Sequence, residues 1–402
     1  MRIALALLCA CLLRLPLSAA VEPLQIYILA GQSNMQGHAK VSTFPHLGMD
    51  PETVPLLAEM QAANGTPVVC ERVWISSLGS ADNEQLGKLT AGFGAAAGGP
   101  KIGPEFTFGL RMQKAVPGRI LLIKTAWGGR SLNTDFRPPS AGPYVFNQQQ
   151  LDALQRQNKD LQAARKEKDD ATGVAYRQMI EHVRHVLADL PRVIPDYDAA
   201  SGYQLAGFVW FQGWNDLVDS STYPDRDKPG GYNAYSNLLA TLIRDVRRDL
   251  QTPQLPFVIG VLGVGGPVSE YGPDQQRYRT IHQNFRDAMA APAALPEFQG
   301  SVAAVRTEIY WDQELTAARS HEATVRQMAK KQATEQQLKG PEEQALYQQL
   351  RTAQLTERER AILDVGVSNL EFHYLGSAKI LGRIGWGLAE AMLQLQSPGQ
   401  RQ

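Results

Sequence analysis

The chain has 402 residues, enough for one large domain or two ordinary ones, and 44% of them are hydrophobic. Its 40 basic and 40 acidic residues cancel, so no net charge favours binding to nucleic acid or to an anionic membrane. Of the three cysteines, Cys9 and Cys11 lie near the amino terminus and only Cys70 lies further along. A single remaining cysteine excludes an intramolecular disulfide and a cysteine-based metal site.

The first twenty residues have the pattern of a secretory signal peptide. Arg2 supplies a positive charge, residues 3–13 are apolar, and Ser-Ala-Ala at 18–20 resembles a cleavage site. The segment is too short to span a membrane comfortably. We therefore expect export to the periplasm or the extracellular space, with a mature domain at 21–402 and no membrane partner.

Five short apolar runs predict strands that are buried on both faces, because they are rich in Val, Ile, Leu and aromatic residues and do not alternate. They lie at 25–29, 72–76, 119–126, 206–212 and 256–263, with 302–308 as a candidate for a sixth. Helical patterns lie between them at 176–190, 235–250 and 277–289. Strands that alternate with helices predict a doubly wound α/β fold with a mostly parallel sheet.

Two polar segments interrupt this alternation. Residues 148–170 and 313–362 are rich in Gln, Lys, Arg, Glu and Ala, which are strong helix formers. Within the second segment, Thr356 and Glu359 form the spacing of a capping box. We expect solvated helices here, and in particular a helical insertion near 313–362 on the single domain.

Ser33 follows the first predicted strand in the stretch GQSNMQG, residues 31–37. Gly and Asn are ordinary turn residues, so the stretch by itself fits a structural turn as well as a turn that presents a nucleophile. In the second case we expect the glycines to let the chain turn sharply off the strand and leave the Ser33 N–H free.

Four further polar stretches are predicted at the carboxyl edge of the sheet, where open α/β sheets place their sites. They are GPEFTFG at 103–109, KTAWGGRSL at 124–132, WFQGWNDL at 210–217 and SNLEFHYLGSAK at 368–379. Glu105 in the first of these is expected to open a helix rather than to act in catalysis.

Four blocks in this order resemble the SGNH hydrolases: GQSNM at 31–35, Gly-Gly at 128–129, QGWND at 212–216, and His373 before the last helix. The sequences of these motifs are similar to those of the sialate O-acetylesterase and acetylxylan esterase branch, and the resemblance extends over about residues 24–395. The resemblance implies a three-layer, flavodoxin-like fold. It also implies an esterase that acts on acetylated carbohydrates without a cofactor or a metal.

The resemblance assigns a role to each block. Ser33 would be the nucleophile, and His373 the base that takes its proton. The oxyanion hole would use the backbone N–H of Ser33, a backbone N–H at Gly128 or Gly129, and the side-chain amide of Asn215.

The acid that orients His373 is where the sequence departs from the family pattern. Many SGNH enzymes have Asp three residues before the His, and this chain has Leu370 there. Glu371 is the nearest acid and our expected choice. Asp364, Asn369 or a backbone carbonyl are alternatives, as is a Ser–His dyad that needs no acid.

Several neighbouring residues could contact substrate. Tryptophans beside the blocks are core residues by default, but they could line a pocket on which sugars stack. Polar neighbours could bind substrate or brace loops, and His38 matches no family position. The candidate substrate contacts are Gln36, Trp127, Arg130, Gln212 and Trp214, with Trp210 as a third tryptophan.

The function expected from these features is an exported carbohydrate esterase that removes O-acetyl groups through a Ser–His acyl-enzyme mechanism. A lipase or thioesterase is an alternative, although no long apolar loop supports it. A non-catalytic glycan-binding protein on a degenerate esterase fold is another, supported by the missing Asp. The pattern makes no prediction about the oligomeric state.

Overall fold

The computed structural model describes residues 22–79 and 83–397. The predicted signal peptide lies outside the described residues. Within them, no helix is both long enough and apolar enough to cross a membrane.

The strands correspond to the predicted apolar runs, with three additions. All five runs and the sixth candidate form strands, and the sequence patterns missed β2, β4 and β5. In chain order the strands are β1 Leu24–Gly31, β2 Ala39–Lys40, β3 Val73–Leu78, β4 Gln85–Lys88, β5 Lys101–Ile102, β6 Ile120–Ala126, β7 Tyr203–Phe211, β8 Phe257–Val261 and β9 Val302–Arg306.

Seven of these strands form one sheet in the order β4-β3-β6-β1-β7-β8-β9. Every pairing in it is parallel except the β3–β4 hairpin at one edge. Without that hairpin, the remaining strands have the flavodoxin-like order 2-1-3-4-5 when they are numbered along the chain. The strand β1 is therefore the switch point, because the chain continues to β6 on one side and to β7 on the other.

Helices cover both faces of the sheet. In chain order they are α1 Ser33–Gln36, α2 Val54–Met60, α3 Pro104–Ala115, α4 Gln148–Arg156, α5 Leu161–Ala171, α6 Val174–Ala188, α7 Leu190–Val193, α8 Trp214–Val218, α9 Asn233–Asp249, α10 Arg279–Ala290, α11 Gln313–Glu335, α12 Pro341–Gln354, α13 Glu357–Gly366 and α14 Ala378–Gln396. One face packs against α3 and α14, and the other packs against α6 and α10, with α9 beside α10. The three-layer α/β fold is as predicted.

The strands of the sheet centre are apolar because they have no solvent face. All seven residues of β6 and all five of β8 are buried, as expected for parallel strands covered on both sides. Lys124 in β6 is the exception, a cation inside this apolar layer.

The segment 313–362 is helical, as expected, and is anchored in the main core at its base. Leu315 in the first turn of α11 is buried in that core, and α13 packs against the turn at 41–49. The outer part of α11 and α12 instead buries its own small cluster, which consists of Val325, Ala329, Tyr347 and Leu355. The other polar segment forms α4 and α5, which have no buried residues.

Candidate active site

The ends of three parallel strands meet at one point of the carboxyl edge. Gly31 at the end of β1 pairs with Ala126 at the end of β6 and with Phe211 at the end of β7. Neighbouring strands lie about 4.8 Å apart. The residues that directly follow each strand therefore lie close together, because the strand ends are already adjacent.

Gly31 is required by close packing rather than by a turn. A Cβ atom at this position would lie 2.1 Å from the carbonyl oxygen of Phe211 and 2.9 Å from the Cβ of Met35. The backbone at Gly31 does not have a positive φ, whereas Gly37 after α1 has φ of +87°. The expectation that glycines allow a sharp turn thus holds for Gly37, while Gly31 lets β1 and β7 approach each other.

Ser33 begins the single-turn helix α1 directly after this junction. Its hydroxyl donates a hydrogen bond to Oε1 of Gln32, which also accepts from the N–H of Asn34 at 2.9 Å. The residue is largely buried, with 8% of its surface exposed. The helix α1 lies beside the turn at 371–376 that carries His373.

Gly128, the first of the two glycines after β6, lies next to Ser33. A Cβ atom on Gly128 would be 4.0 Å from the Cβ of Ser33 and 3.3 Å from Oε1 of Gln36. Gly129 has φ of +74° and open space around it. Both glycines are exposed, so their backbone is accessible to a substrate beside Ser33.

Asn215 lies in α8, directly after the β7 block, and is half-buried. No hydrogen bond holds its side-chain amide within the described part of the chain. It is therefore free to donate to a ligand.

Asp216 next to it joins the loops that follow β6 and β7. The carboxylate is completely buried, and burial raises its pKa while the surrounding donors oppose that effect. Because every partner is a donor, the group acts only as an acceptor. Its donors are the backbone N–H groups of Leu132 and Asn133 at 2.7 and 3.1 Å, Nδ2 of Asn133 at 3.1 Å, Nε2 of Gln212 at 2.7 Å and the hydroxyl of Tyr223 at 2.9 Å.

A buried ion pair lies beneath α1. Nζ of Lys124 is 2.7 Å from Oε2 of Glu105 and donates to the carbonyl oxygens of Gln36 and Phe93, each at 2.9 Å. Burial lowers the pKa of the Lys124 ammonium, and the neighbouring carboxylate opposes this effect. Glu105 lies in the first turn of α3, as predicted, but it also ties that helix to the end of α1.

His373 lies in a tight left-handed turn. Tyr374, Leu375 and Gly376 have φ of 53°, 60° and 57°. A Cβ atom on Gly376 would lie 2.5 Å from Oγ of Ser368, so only glycine fits this turn. The hydroxyl of Ser368 donates to the Gly376 carbonyl oxygen at 2.7 Å. This hydrogen bond connects the residues on the two sides of the turn.

The side chain that hydrogen-bonds to the ring of His373 is that of Asn369. Its Oδ1 is 2.9 Å from Nδ1 of the imidazole. The structure does not support the expectation for Glu371, because that side chain is exposed and makes no hydrogen bond to the ring in the described residues. The carboxylate of Asp364 is also exposed and accepts from Arg351 at 2.6 Å. The contacts favour the alternative that named Asn369.

His38 is the residue that the sequence patterns missed. Its ring stacks on the ring of His373 with a centroid separation of 3.8 Å and an interplanar angle of 1°. Burial lowers the pKa of His373 to about 4, and the charge of Lys101 adds to this effect. Burial and neighbouring cationic groups lower the pKa of His38 to about 3. Both rings are therefore neutral near pH 7.

The candidate substrate contacts divide into two groups. Trp210 is a core residue, and Gln212 braces the loops because its amide donates to Arg130 O at 3.1 Å and to Asp216. Arg130 pairs with Asp135 at 2.8 Å but remains exposed. Three candidates are half-buried: Gln36, Trp127 and Trp214. The amide of Gln36 donates to the carbonyl oxygen of Gly79 at 3.3 Å. The ring of Trp214 stacks on Phe372 with a centroid separation of 5.6 Å.

Comparison with known proteins identifies a family for most of the chain. The model of the family described as carbohydrate esterase, sialic acid-specific acetylesterase (SASA) matches residues 23–294. This range includes Ser33, the glycine pair and Asn215, and it ends before His373. No curated protein matches the chain significantly.

Solved structures with a similar arrangement are distant. One is a protein of Arabidopsis thaliana, with 18% identity over 71% of this chain and 86% of that chain, and a TM-score of 0.38. Another is described as a carbohydrate acetylesterase from Xanthomonas citri, with 16% identity over 70% of this chain and a TM-score of 0.36. The match spans 49% of the Xanthomonas chain.

We predict that Asp216→Asn lowers the free energy of unfolding by about 2–4 kcal/mol. The amide nitrogen of Asn is a donor, and it would face buried N–H and O–H groups that donate to the carboxylate. Urea denaturation followed by fluorescence measures this loss. Asp225→Asn is the matched control, since that carboxylate is exposed and pairs only with Lys228 among the residues that the structure describes. A change below about 1 kcal/mol is expected. Equal effects of the two substitutions would contradict the role of Asp216 in joining the loops.

Proposed function

The chain belongs to the carbohydrate esterase family of sialic acid-specific acetylesterases, and from that premise we propose that it hydrolyses O-acetyl esters on sugars through an acyl-enzyme on Ser33. The proximity of Ser33, Gly128 and the His373 turn at the carboxyl edge of β1 supports the proposal most directly. The apolar segment and cleavage pattern in residues 1–20 support export as a further part of it.

In the first step, Oγ of Ser33 attacks the acetyl carbonyl carbon while Nε2 of His373 takes the hydroxyl proton. Oδ1 of Asn369 lies 2.9 Å from Nδ1 of His373 and, as an acceptor, favours the tautomer with its proton on Nδ1. No partner occupies Nε2 in the described residues, so that nitrogen is free to act as the base. The hydroxyl of Ser33 must first leave Oε1 of Gln32, to which it donates in the structure.

The negative charge of the tetrahedral intermediate would be stabilised by the N–H of Ser33, an N–H at Gly128 or Gly129, and the amide of Asn215. One such donor is typically worth about 3–4 kcal/mol of transition-state stabilisation. The sugar hydroxyl then leaves with the proton from His373. Water attacks the acetyl-enzyme with the same histidine as base, and acetate is released.

We predict that Ser33→Ala and His373→Ala each abolish hydrolysis of p-nitrophenyl acetate, and that the double variant is little worse than either one, because the two groups act as a unit. Ser320→Ala and His185→Ala are matched controls at exposed positions and should keep full activity. Activity above about 5% of wild type in Ser33→Ala would refute the nucleophile, since loss of a triad member typically costs far more.

Assays on the wild-type protein distinguish the candidate substrates and the alternative functions. Acetate release from acetylated xylan is compared with release from O-acetylated sialic acid, with a long-chain ester as the lipase control. Binding of either glycan without acetate release would favour a glycan-binding protein over an esterase.

We predict that Asn369→Ala lowers kcat by roughly 10- to 100-fold, because loss of a buried hydrogen bond to the ring costs about 1–3 kcal/mol. The loss should stay below the roughly 10⁴-fold effect of removing a charged triad acid. Glu371→Gln is the control and should change kcat less than about twofold, since surface changes away from special features are near neutral. The reverse order of the two variants would restore Glu371 as the orienting residue.

The pH–rate profile should reflect the lowered pKa of His373. The imidazole acts as a base only when it is neutral, and its pKa lies at about 4. We therefore predict that kcat/KM is constant from pH 8 down to about 5 and falls with a midpoint near 4. Lys101→Met should move the midpoint upward, because a nearby cation disfavours the imidazolium. A wild-type midpoint at or above the ordinary value of about 6.5 would contradict this environment for His373.

A further inference from the structure

Stacking places His38 in direct contact with the base of the proposed reaction. The two imidazole rings are parallel and 3.8 Å apart, so His38 covers one face of His373. The backbone that carries His38 is tied to the same turn, because the hydroxyl of Ser368 lies 3.3 Å from the His38 carbonyl oxygen and accepts from the N–H of Lys40 at 3.1 Å. The two histidines are thus held by one set of contacts.

Asn369 connects the two rings through opposite ends of its amide. Oδ1 is 2.9 Å from Nδ1 of His373, and Nδ2 is 3.4 Å from Nδ1 of His38. The backbone N–H of Leu370 donates to the same Oδ1 at 2.7 Å. Because a backbone N–H can only donate, it identifies the amide oxygen and fixes which end faces each ring.

The tautomers of both rings follow from this orientation. An amide oxygen only accepts, so Nδ1 of His373 must carry a proton, which leaves the Nε2 lone pair for Ser33. The amide nitrogen only donates, so this contact is a hydrogen bond only if Nδ1 of His38 is unprotonated and the proton of a neutral ring lies on Nε2. Nε2 of His38 is buried and has no partner in the residues that the structure describes.

We propose that His38 is a positioning residue for His373, which accepts the Asn369 amide and thereby holds the amide oxygen on Nδ1 of the base. This inference rests on the proposed function. Under this proposal, His38 and Asn369 together position His373 in place of the acid that the sequence lacks at position 370. The chain of hydrogen bonds runs from His373 through Asn369 to His38, and each bond polarises the next.

The neighbouring charges are consistent with a neutral acceptor at this position. The cations that face the pair are Lys101 and Lys124, and both disfavour a charge on His38. Lys101 is held by the carbonyl oxygens of Ala95, Ala96 and Ala97. A protonated His38 would lose its acceptor and would place a second cation against the imidazolium formed during acylation.

The first experiment measures the tautomers directly. Nitrogen NMR shifts of the histidine-labelled Ser33→Ala protein report which ring nitrogen is protonated, and they do so whether or not the chain is an esterase. We expect the Nδ1–H form for His373 and the Nε2–H form for His38. A proton on Nδ1 of His38 would overturn the proposal, even if the esterase activity is established.

The second experiment separates the two properties of the His38 side chain. His38→Phe keeps a stacked ring but removes the acceptor, whereas His38→Asn places an oxygen close to the position of Nδ1 but removes the ring. We expect His38→Phe to lower kcat by roughly 5- to 10-fold at constant KM, as for loss of one hydrogen bond, and to reduce the Nδ1–H form of His373. His38→Asn should keep most of the wild-type kcat and most of the Nδ1–H form of His373. Full activity of His38→Phe, or failure of His38→Asn to exceed it, would overturn the proposal in favour of ring packing.

A double-mutant cycle tests whether His38 acts through Asn369. In the Asn369→Ala background, His38→Phe should have no further effect on kcat, because the amide that connects the rings is gone. Multiplication of the two single effects would show that His38 acts independently of Asn369, which contradicts the proposal. Circular dichroism spectra confirm that each variant is folded.

Discussion

Hydrogen bonding between β1 and its two neighbours sets Gly31, Ala126 and Phe211 at the same level of the sheet, and the candidate site is built from that alignment. Ser33, Gly128 and Asn215 each follow one of these strands within a few residues. Short connections leave little freedom for the groups to separate, so the rigid sheet positions them. The alignment in turn requires glycine at position 31, because any side chain would collide with the carbonyl of Phe211.

Two buried charged groups hold the loops that the alignment brings together. The carboxylate of Asp216 joins the loops after β6 and β7, and the ammonium of Lys124 joins β6 to α1 and α3. Apolar packing of the sheet supplies the bulk of the stability but is not directional. Charged groups with several hydrogen bonds are costly to bury and costly to break, and they specify one loop geometry among the many that an apolar core would tolerate.

The turn around His373 depends on a neutral amide rather than on a carboxylate. A charged acceptor would stabilise the imidazolium and raise the pKa of the ring. Here the acceptor on Nδ1 is a neutral amide. Burial, with Lys101 adding to its effect, lowers the pKa of His373 to about 4. In the proposed mechanism, the imidazole of His373 is neutral over a wide range of pH, and its proton affinity is weaker than in a site with a buried acid. The proposed mechanism would therefore rely more on the oxyanion donors than on the strength of the base.

Local patterns in the sequence were sufficient for the class of the fold and for most of its parts. Non-alternating apolar runs identified the sheet strands apart from β4, since strands buried on both faces have a distinctive composition. The resemblance of four short blocks identified the family and the residues after three strand ends. The capping box at Thr356 is present as predicted, with Glu359 as its partner, because capping depends on residues only three positions apart.

The partners of His373 were decided only by the tertiary structure. Asn369 was one of several candidates near His373, and the left-handed turn at 374–376 is what brings its oxygen to Nδ1 while leaving Glu371 in solvent. Nothing near His38 in the sequence indicates its partner, which lies more than three hundred positions away. The stack forms where the hydroxyl of Ser368 contacts the backbone of His38 and Lys40 and so joins two loops. Such contacts depend on the packing of the whole domain rather than on a local pattern.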